Sequence, residues 1–323
     1  MILHARGATA EWEPGCGHLP RLALGGVEVL WAAPWRDDPP VQADGVVPMV
    51  DRRLGGTFAC APFGRDDVDG GPPHGAPANA PWRVLRAAPS ALVAQVAMPR
   101  GRVTARIALC DGHPALYQTH RLDLLAPCTF AHHPMIRAAG GAAMTTSATR
   151  ARTFPRMEAP GVERLPPDAG LHPAEIERLP EGPGTDFVTL IHPPGLGWTA
   201  IAREAEGDAI VFLKRAERLP VTNLWLWDGG RDGPPWAGRR CGVIGVEDAA
   251  CAGADGFRAA LDGASRVTGV SLALPAGRHH VAHAIVRIAG CGPVRGLRLE
   301  PGRLVAETRA GERAVPFDGE HLA

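Results

Sequence analysis

The strongest constraint on this chain is an alternation of apolar and polar residues that recurs in short runs from end to end. WRVLRA, ALVAQVAM, RVTARIALC and ALYQTHRLDLL follow one another between Trp82 and Leu125. They are separated by Pro89-Ser90, Pro99-Arg100-Gly101 and Asp111-Gly112. A period of two places alternate side chains on opposite faces of a strand, and turn residues between such runs predict a meander. Arg21 to Trp31, RLALGGVEVLW, predicts two short strands folded at Gly25-Gly26. FVTLIH, GWTAIARE, DAIVFLKRA and VTNLWLW continue the pattern after residue 186, and VTGVSLALPAGRHHVAHAIVRI, LRLE and RLVAETRA complete it. Only 168–179 and 249–261 leave room for short helices, and neither carries an apolar stripe at helical spacing. Many short strands without intervening helices exclude a doubly wound fold and predict an all-β chain, a large antiparallel β-sandwich or barrel.

Pro- and Gly-rich stretches at 33–48, 61–81 and 155–184 are expected to be long loops, the kind that carries function or is disordered. No repeat or linker divides the chain, so residues 1–323 are expected to form a single domain. The 34 basic and 34 acidic side chains balance, which argues against nucleic acid or an anionic membrane as a partner. Lys214 is the sole lysine; the bias to Arg, Ala, Gly and Pro follows a coding preference more than a physical demand. Seven dispersed cysteines without a C-x-x-C pair are expected to be reduced thiols. With no secretory leader and no apolar run of bilayer length, the expected location is the cytoplasm. A P-loop, G-x-S-x-G, H-E-x-x-H and a dinucleotide fingerprint are all missing, so phosphoryl transfer, serine hydrolysis and nicotinamide chemistry have no motif behind them.

Three segments concentrate chemistry. Pro62 to Val84, PFGRDDVDGGPPHGAPANAPWRV, is a charged loop that ends at a strand and holds Arg65, His74, Asn79 and Trp82. Thr129 to Pro134 holds the pair His132-His133 near a strand end, where histidines are commonly structural. Val243-Ile244-Gly245-Val246-Glu247-Asp248 ends an apolar run in a glutamate. A carboxylate at the rim of a core is functional or paired, here with Arg239 or Arg240. His279, His280 and His283 do not suit a metal, because 279 and 283 share a strand face while 280 points away.

These segments resemble the galactose mutarotase-like proteins, the aldose 1-epimerases and hexose-phosphate mutarotases. His74-Gly75 followed by Asn79 and Trp82 matches their H-G-F-A-R-N-x-x-W stretch without a gap, with Ala78 in place of the arginine. Pro62-Phe63-Gly64-Arg65 is similar to the lead-in, His133-Pro134 to the histidine–proline that holds the general acid. Trp225-Leu226-Trp227, Pro235-Trp236-Ala237-Gly238-Arg239 and then the strand ending in Glu247 follow in the family's order, with Asp248 where a proline is usual. The matches span about residues 17 to 290. The resemblance implies a supersandwich that binds a monosaccharide or sugar phosphate and exchanges its anomers without metal or organic cofactor. It implies Glu247 as base and His133 as acid, with His74, Arg65, His132, Asp228 and Trp236 as sugar contacts. It also implies that His74, His133 and Glu247 end about 5–8 Å apart around the substrate, by analogy with paired-carboxylate sugar sites. A non-catalytic carbohydrate-binding or regulatory protein on the same scaffold is the alternative, as is an epimerase for a sugar phosphate or sugar acid.

Overall fold

The computed structural model describes residues 1–154, 163–178, 184–229, 233–253, 255–263 and 268–323. Two eight-stranded antiparallel sheets face each other. The first runs Gly170–Leu171, Arg150–Thr153, Gly184–Ile191, Val221–Asp228, Val243–Ala250, Phe130–His132, Ala59–Cys60, and Met135–Arg137 also pairs with Val243–Ala250. The second runs Ala142–Thr146, Leu196–Arg203, Asp208–Arg215, Gly277–Ala289, Ala115–Leu124, Gly101–Leu109, Ala91–Met98, Arg83–Ala88. We call them the front and back sheets. The predicted meander forms the edge of the back sheet in chain order, because each turn is short enough to make the next strand its neighbour.

The alternation predicted from the sequence sets the layers. In Ala91–Met98, Leu92, Ala94, Val96 and Met98 are buried. They join Leu122, Val188, Leu224, Val246, Ile285 and their neighbours in one core between the sheets. A second cluster, with Tyr117, Val211, Leu213, Val286 and Phe317, lies between the back sheet and a C-terminal three-stranded sheet spanning Val294–Pro316. The third covers the outer face of the front sheet with Trp31, Trp35, Phe58, Phe63, Trp225 and Trp236. That third cluster surrounds the site.

An N-terminal four-stranded sheet contains the expected hairpin, His18–Leu24 and Val27–Glu28, turned at Gly25 and Gly26, both with positive φ. It joins the front sheet through a bridge between Leu19 and Thr57. Gly56 is required there, because a Cβ on it would fall 1.9 Å from the Leu19 carbonyl oxygen.

Several local expectations change. The stretch before Gly277 in the late apolar segment is irregular rather than extended, and the strand is Gly277–Ala289. Of 249–261 only the end is helical, in Phe257–Asp262. Of 168–179 the structure shows the two-residue strand Gly170–Leu171 and one 3-10 turn, Pro173–Ile176. The 33–48 loop contains the short helix Pro39–Ala43. Five of the seven cysteines are buried, and all seven are free thiols. Among the described residues no helix is long and apolar enough to cross a membrane.

Candidate active site

The register of the front sheet explains how distant residues meet. Pairing of Met135 with Gly245 and of Ala131 with Ala249 sets His133 opposite Glu247. Pairing of Ala131 with Cys60 and of His132 with Ala59 sets His133 opposite Phe58 on its other side. The bridge of Leu19 to Thr57 sets Phe58 opposite His18. On the far side Glu247 pairs with Asn223, and Asn223 with Thr189. Six residues therefore form one row across six strands, and side chains in such a row share a face at strand spacing.

At the centre of the row, His133 Nε2 lies 3.0 Å from Glu247 Oε1, and both side chains are almost wholly buried. The two were expected to stand 5–8 Å apart with substrate between them; instead they touch. Adjacent strands are only about 4.8 Å apart, so in-register partners reach each other directly. Glu247 also sits within its strand, Val243–Ala250, rather than at the end of an apolar run. Gly245 leaves the space for its side chain, since a Cβ there would lie 3.1 Å from Glu247 Oε1 and 3.0 Å from the Cβ of Trp225.

Aromatic rings enclose His133. Phe58 stacks on it at 4.7 Å, and Trp225 meets it edge-on at 5.9 Å. His74 stands perpendicular to it, ring centroids 5.0 Å apart. The His74 loop is built to present this one side chain. His74 and Gly75 both have positive φ, and Asn79 Nδ2 donates to the carbonyls of Pro73 and Gly75. Trp82 Nε1 donates to the Pro77 carbonyl from a buried position. Asn79 and Trp82 of the motif are thus the loop's fastenings. The Gly64 N–H donates to His74 Nδ1, which leaves the proton of neutral His74 on Nε2. Burial pushes the imidazole of His74 down, and pushes that of His133 well below its usual value, with His74 and Arg240 adding to the effect.

The remaining candidates fall in different places. Trp236 is buried edge-on against Trp225 and Trp35, one ring removed from His133. The Arg240 guanidinium lies 3.8 Å over Trp225. Arg65 is half-exposed; its guanidinium reaches the Asp255 carbonyl and stands 4.0 Å from the Asp67 carboxylate. The side chain of Asp228 lies outside the described residues.

His132 corrects the expectation most clearly. As the neighbour of His133 it points to the other face of the sheet, into the core between the two sheets. There it stacks on His283 at 4.3 Å and meets His120 edge-on at 4.7 Å, away from the front-face row. Asp248, the neighbour of Glu247, faces the same way and accepts from Lys214, Thr222 and His283. Of the late histidines, His279 and His283 are buried and His280 is exposed, as strand alternation requires.

Sequence reasoning missed Phe58, His18, Asn223 and Thr189, whose only signal is the pairing register. It also read past Lys214, whose isolation among 33 arginines was the available hint.

No family model and no curated protein matches the chain. Solved structures do match over most of its length. The Slr1438 protein from Synechocystis superposes with a TM-score of 0.60 at 14% identity, covering 89% of this chain and 94% of that one. A galactose mutarotase-like protein from Clostridium acetobutylicum gives 0.59 at 12%, covering 88% and 94%. The GalM/aldose epimerase homologue from C. elegans gives 0.57 at 13%, covering 89% and 98%. At such identities the likeness is one of architecture, and the chain has the galactose mutarotase-like fold.

Proposed function

We propose that this protein interconverts the α and β anomers of an aldose, with Glu247 and His133 as the proton-transfer pair. The observation that carries the reading is their contact at 3.0 Å, buried among aromatic rings, with His74 beside it. Anomer exchange moves only protons. A base takes the proton of the anomeric hydroxyl, an acid protonates the ring oxygen, the ring opens, and the free aldehyde recloses on its other face. Glu247 acts as base in its ionised form and His133 as acid in its protonated form, which burial disfavours and contact with the Glu247 carboxylate supports; the proton returns across the same contact to reset the pair. The Nε2 proton of His74 is placed to bind a hydroxyl. Arg65, half-exposed, and Trp236, buried one ring from His133, are the further sugar contacts in this reading. No metal or organic cofactor enters this chemistry.

The test is polarimetry on freshly dissolved α-anomers of several aldoses and their phosphates, with buffer catalysis subtracted. Glu247→Gln keeps the shape and removes the base, so mutarotation is expected to fall by about 10²- to 10⁴-fold while sugar binding persists. The double variant with His133→Asn is expected to lose little more, because the two groups act as one unit. The rate is expected to be bell-shaped in pH with its maximum on the acid side of neutrality, because burial lowers His133, and its apparent values belong to the pair. One observation favours the binding-protein reading: the pair fills the space between its own side chains. If wild type and Glu247→Gln bind a sugar equally and neither mutarotates it, that reading replaces this one.

A further inference from the structure

A catalytic imidazole is normally oriented by a hydrogen bond to its second ring nitrogen. His133 lacks this device: among the described residues its Nδ1 has no hydrogen-bond partner. The ring stacked face to face on it is Phe58, at 4.7 Å with the planes 19° apart, while His74 and Trp225 meet it edge-on. Phe58 cannot set that plane alone, because a benzyl group turns freely unless something packs against its other face.

His18 supplies the packing. Its ring stacks on Phe58 at 4.4 Å and 18°, and the register places Phe58 between the strands of His18 and His133. The three planes are therefore nearly parallel. Carbonyl oxygens stand at both ring nitrogens of His18. Its Nδ1 lies 2.9 Å from the Arg53 carbonyl oxygen, and its Nε2 lies 3.0 Å from that of Ala78. Burial holds the ring neutral, pushing it down to about 4. In the neutral ring one nitrogen donates to its carbonyl while the other, an acceptor, faces the second carbonyl oxygen without a hydrogen bond, so a single bond anchors the ring in either tautomer. The two carbonyls belong to different segments, one before the front-sheet strand Ala59–Cys60 and one in the turn after His74. An apolar residue at 18 would fill the volume without the cost of burying a polar ring. The ring's value lies in being fixed in orientation as well as in place.

We propose that His18 is the positioning residue for His133, acting through Phe58 to aim Nε2 at Glu247. The proposal rests on the reading of His133 and Glu247 as the proton-transfer pair, and it is tested in two independent ways. The first is kinetic. His18→Leu and Phe58→Leu are each expected to lower kcat by about 10- to 100-fold with KM little changed, the size of effect that follows a misplaced catalytic group. The double variant is expected to be no slower than the worse single one, because both cut the same chain of contacts. Ile285→Val, in the core between the sheets, serves as the control for loss of stability alone and is expected to keep its kcat.

The second is spectroscopic and needs no turnover. With ¹⁵N-labelled histidine, wild-type His133 is expected to show one tautomer and a slowly exchanging Nε2 proton held by Glu247. In His18→Leu that proton exchanges fast and the ring signals broaden, whereas Ile285→Val keeps the wild-type spectrum. If Leu at 18 does not fold, His18→Phe keeps a ring on Phe58 without the carbonyl anchor and is read in the same way. An unchanged His133 spectrum in these variants overturns the proposal, as does a wild-type kcat in an active enzyme. If the wild type does not mutarotate any sugar yet the spectrum changes as stated, the positioning role stands and the proposed activity falls.

Discussion

Acidification is expected to destabilise this protein before its carboxylates titrate. His18, His120, His132, His133 and His192 are all buried, and burial is the largest cause of the downward shift of each. The folded values include about 4 for His18 and about 3 for His120, while the unfolded chain titrates near 6.5. Between those values the unfolded state binds more protons than the folded one, so stability is complete above about pH 6.5 and falls as pH drops toward the folded values. Each such histidine contributes at most about 1.4 kcal/mol per pH unit. Even if relaxation and water entry leave a third of that ceiling, the five together remove about 2 kcal/mol per unit. Between roughly pH 6 and 4 that amounts to about 4–5 kcal/mol, as much as the whole stability of a protein at the low end of the usual range of about 5–15 kcal/mol. The depressed carboxylates act lower: Glu13, held at about 2 by Arg53 and Arg36 against the opposing effect of burial, still keeps its charge there. Urea midpoints followed by far-UV circular dichroism from pH 8 to 4 check this. A midpoint that stays flat to about pH 4.5 and only then collapses would assign the transition to carboxylates and refute the histidine account.

The same histidines show what the sequence made legible. Alternation within a strand is local, so the strands of the meander and the opposite facing of His279 and His280 could be read from the order of residues. Pairing between strands far apart in sequence is not local, and nothing in the residues around His18 or Phe58 announces that they lie in one row with His133. The resemblance pointed to His133 and Glu247 and implied a gap of about 5–8 Å that the register closes, because a motif carries order along the chain and not register across the sheet. The facing of His132 is a different case, legible from local alternation alone: adjacency to His133 in sequence means the opposite face in a strand. Asp248, noted only as a replaced proline, has a core role that becomes visible once the back sheet is laid behind it.

That role gives the largest expected mutational effect. His132-His133 and Glu247-Asp248 occupy neighbouring strands in register, so the front sheet carries a histidine and a carboxylate on each face. Behind Glu247, the fully buried Lys214 of the back sheet donates to Asp248 at 2.6 Å, to Thr222 at 2.6 Å and to the Val221 carbonyl at 2.5 Å. His283, also of the back sheet, lies 3.0 Å from the second oxygen of Asp248. Both charges are satisfied, and the pair ties the two sheets together directly behind the proposed site. Removing one member strands the other in the core. Lys214→Met leaves Asp248 ionised without its cation, and Asp248→Leu leaves a buried amine, already drawn down to about 8 by burial, without the carboxylate that holds its charge; each is expected to cost about 3–5 kcal/mol. The double variant buries no orphaned charge and keeps similar volume, so it is expected to recover most of the loss and unfold nearer to wild type than either single variant. Urea unfolding of the four proteins at one pH between 7 and 8 measures the cycle. Single variants within about 1 kcal/mol of wild type, or a double variant that loses the sum of both, would show that the sheets are held by their apolar cores without this clamp.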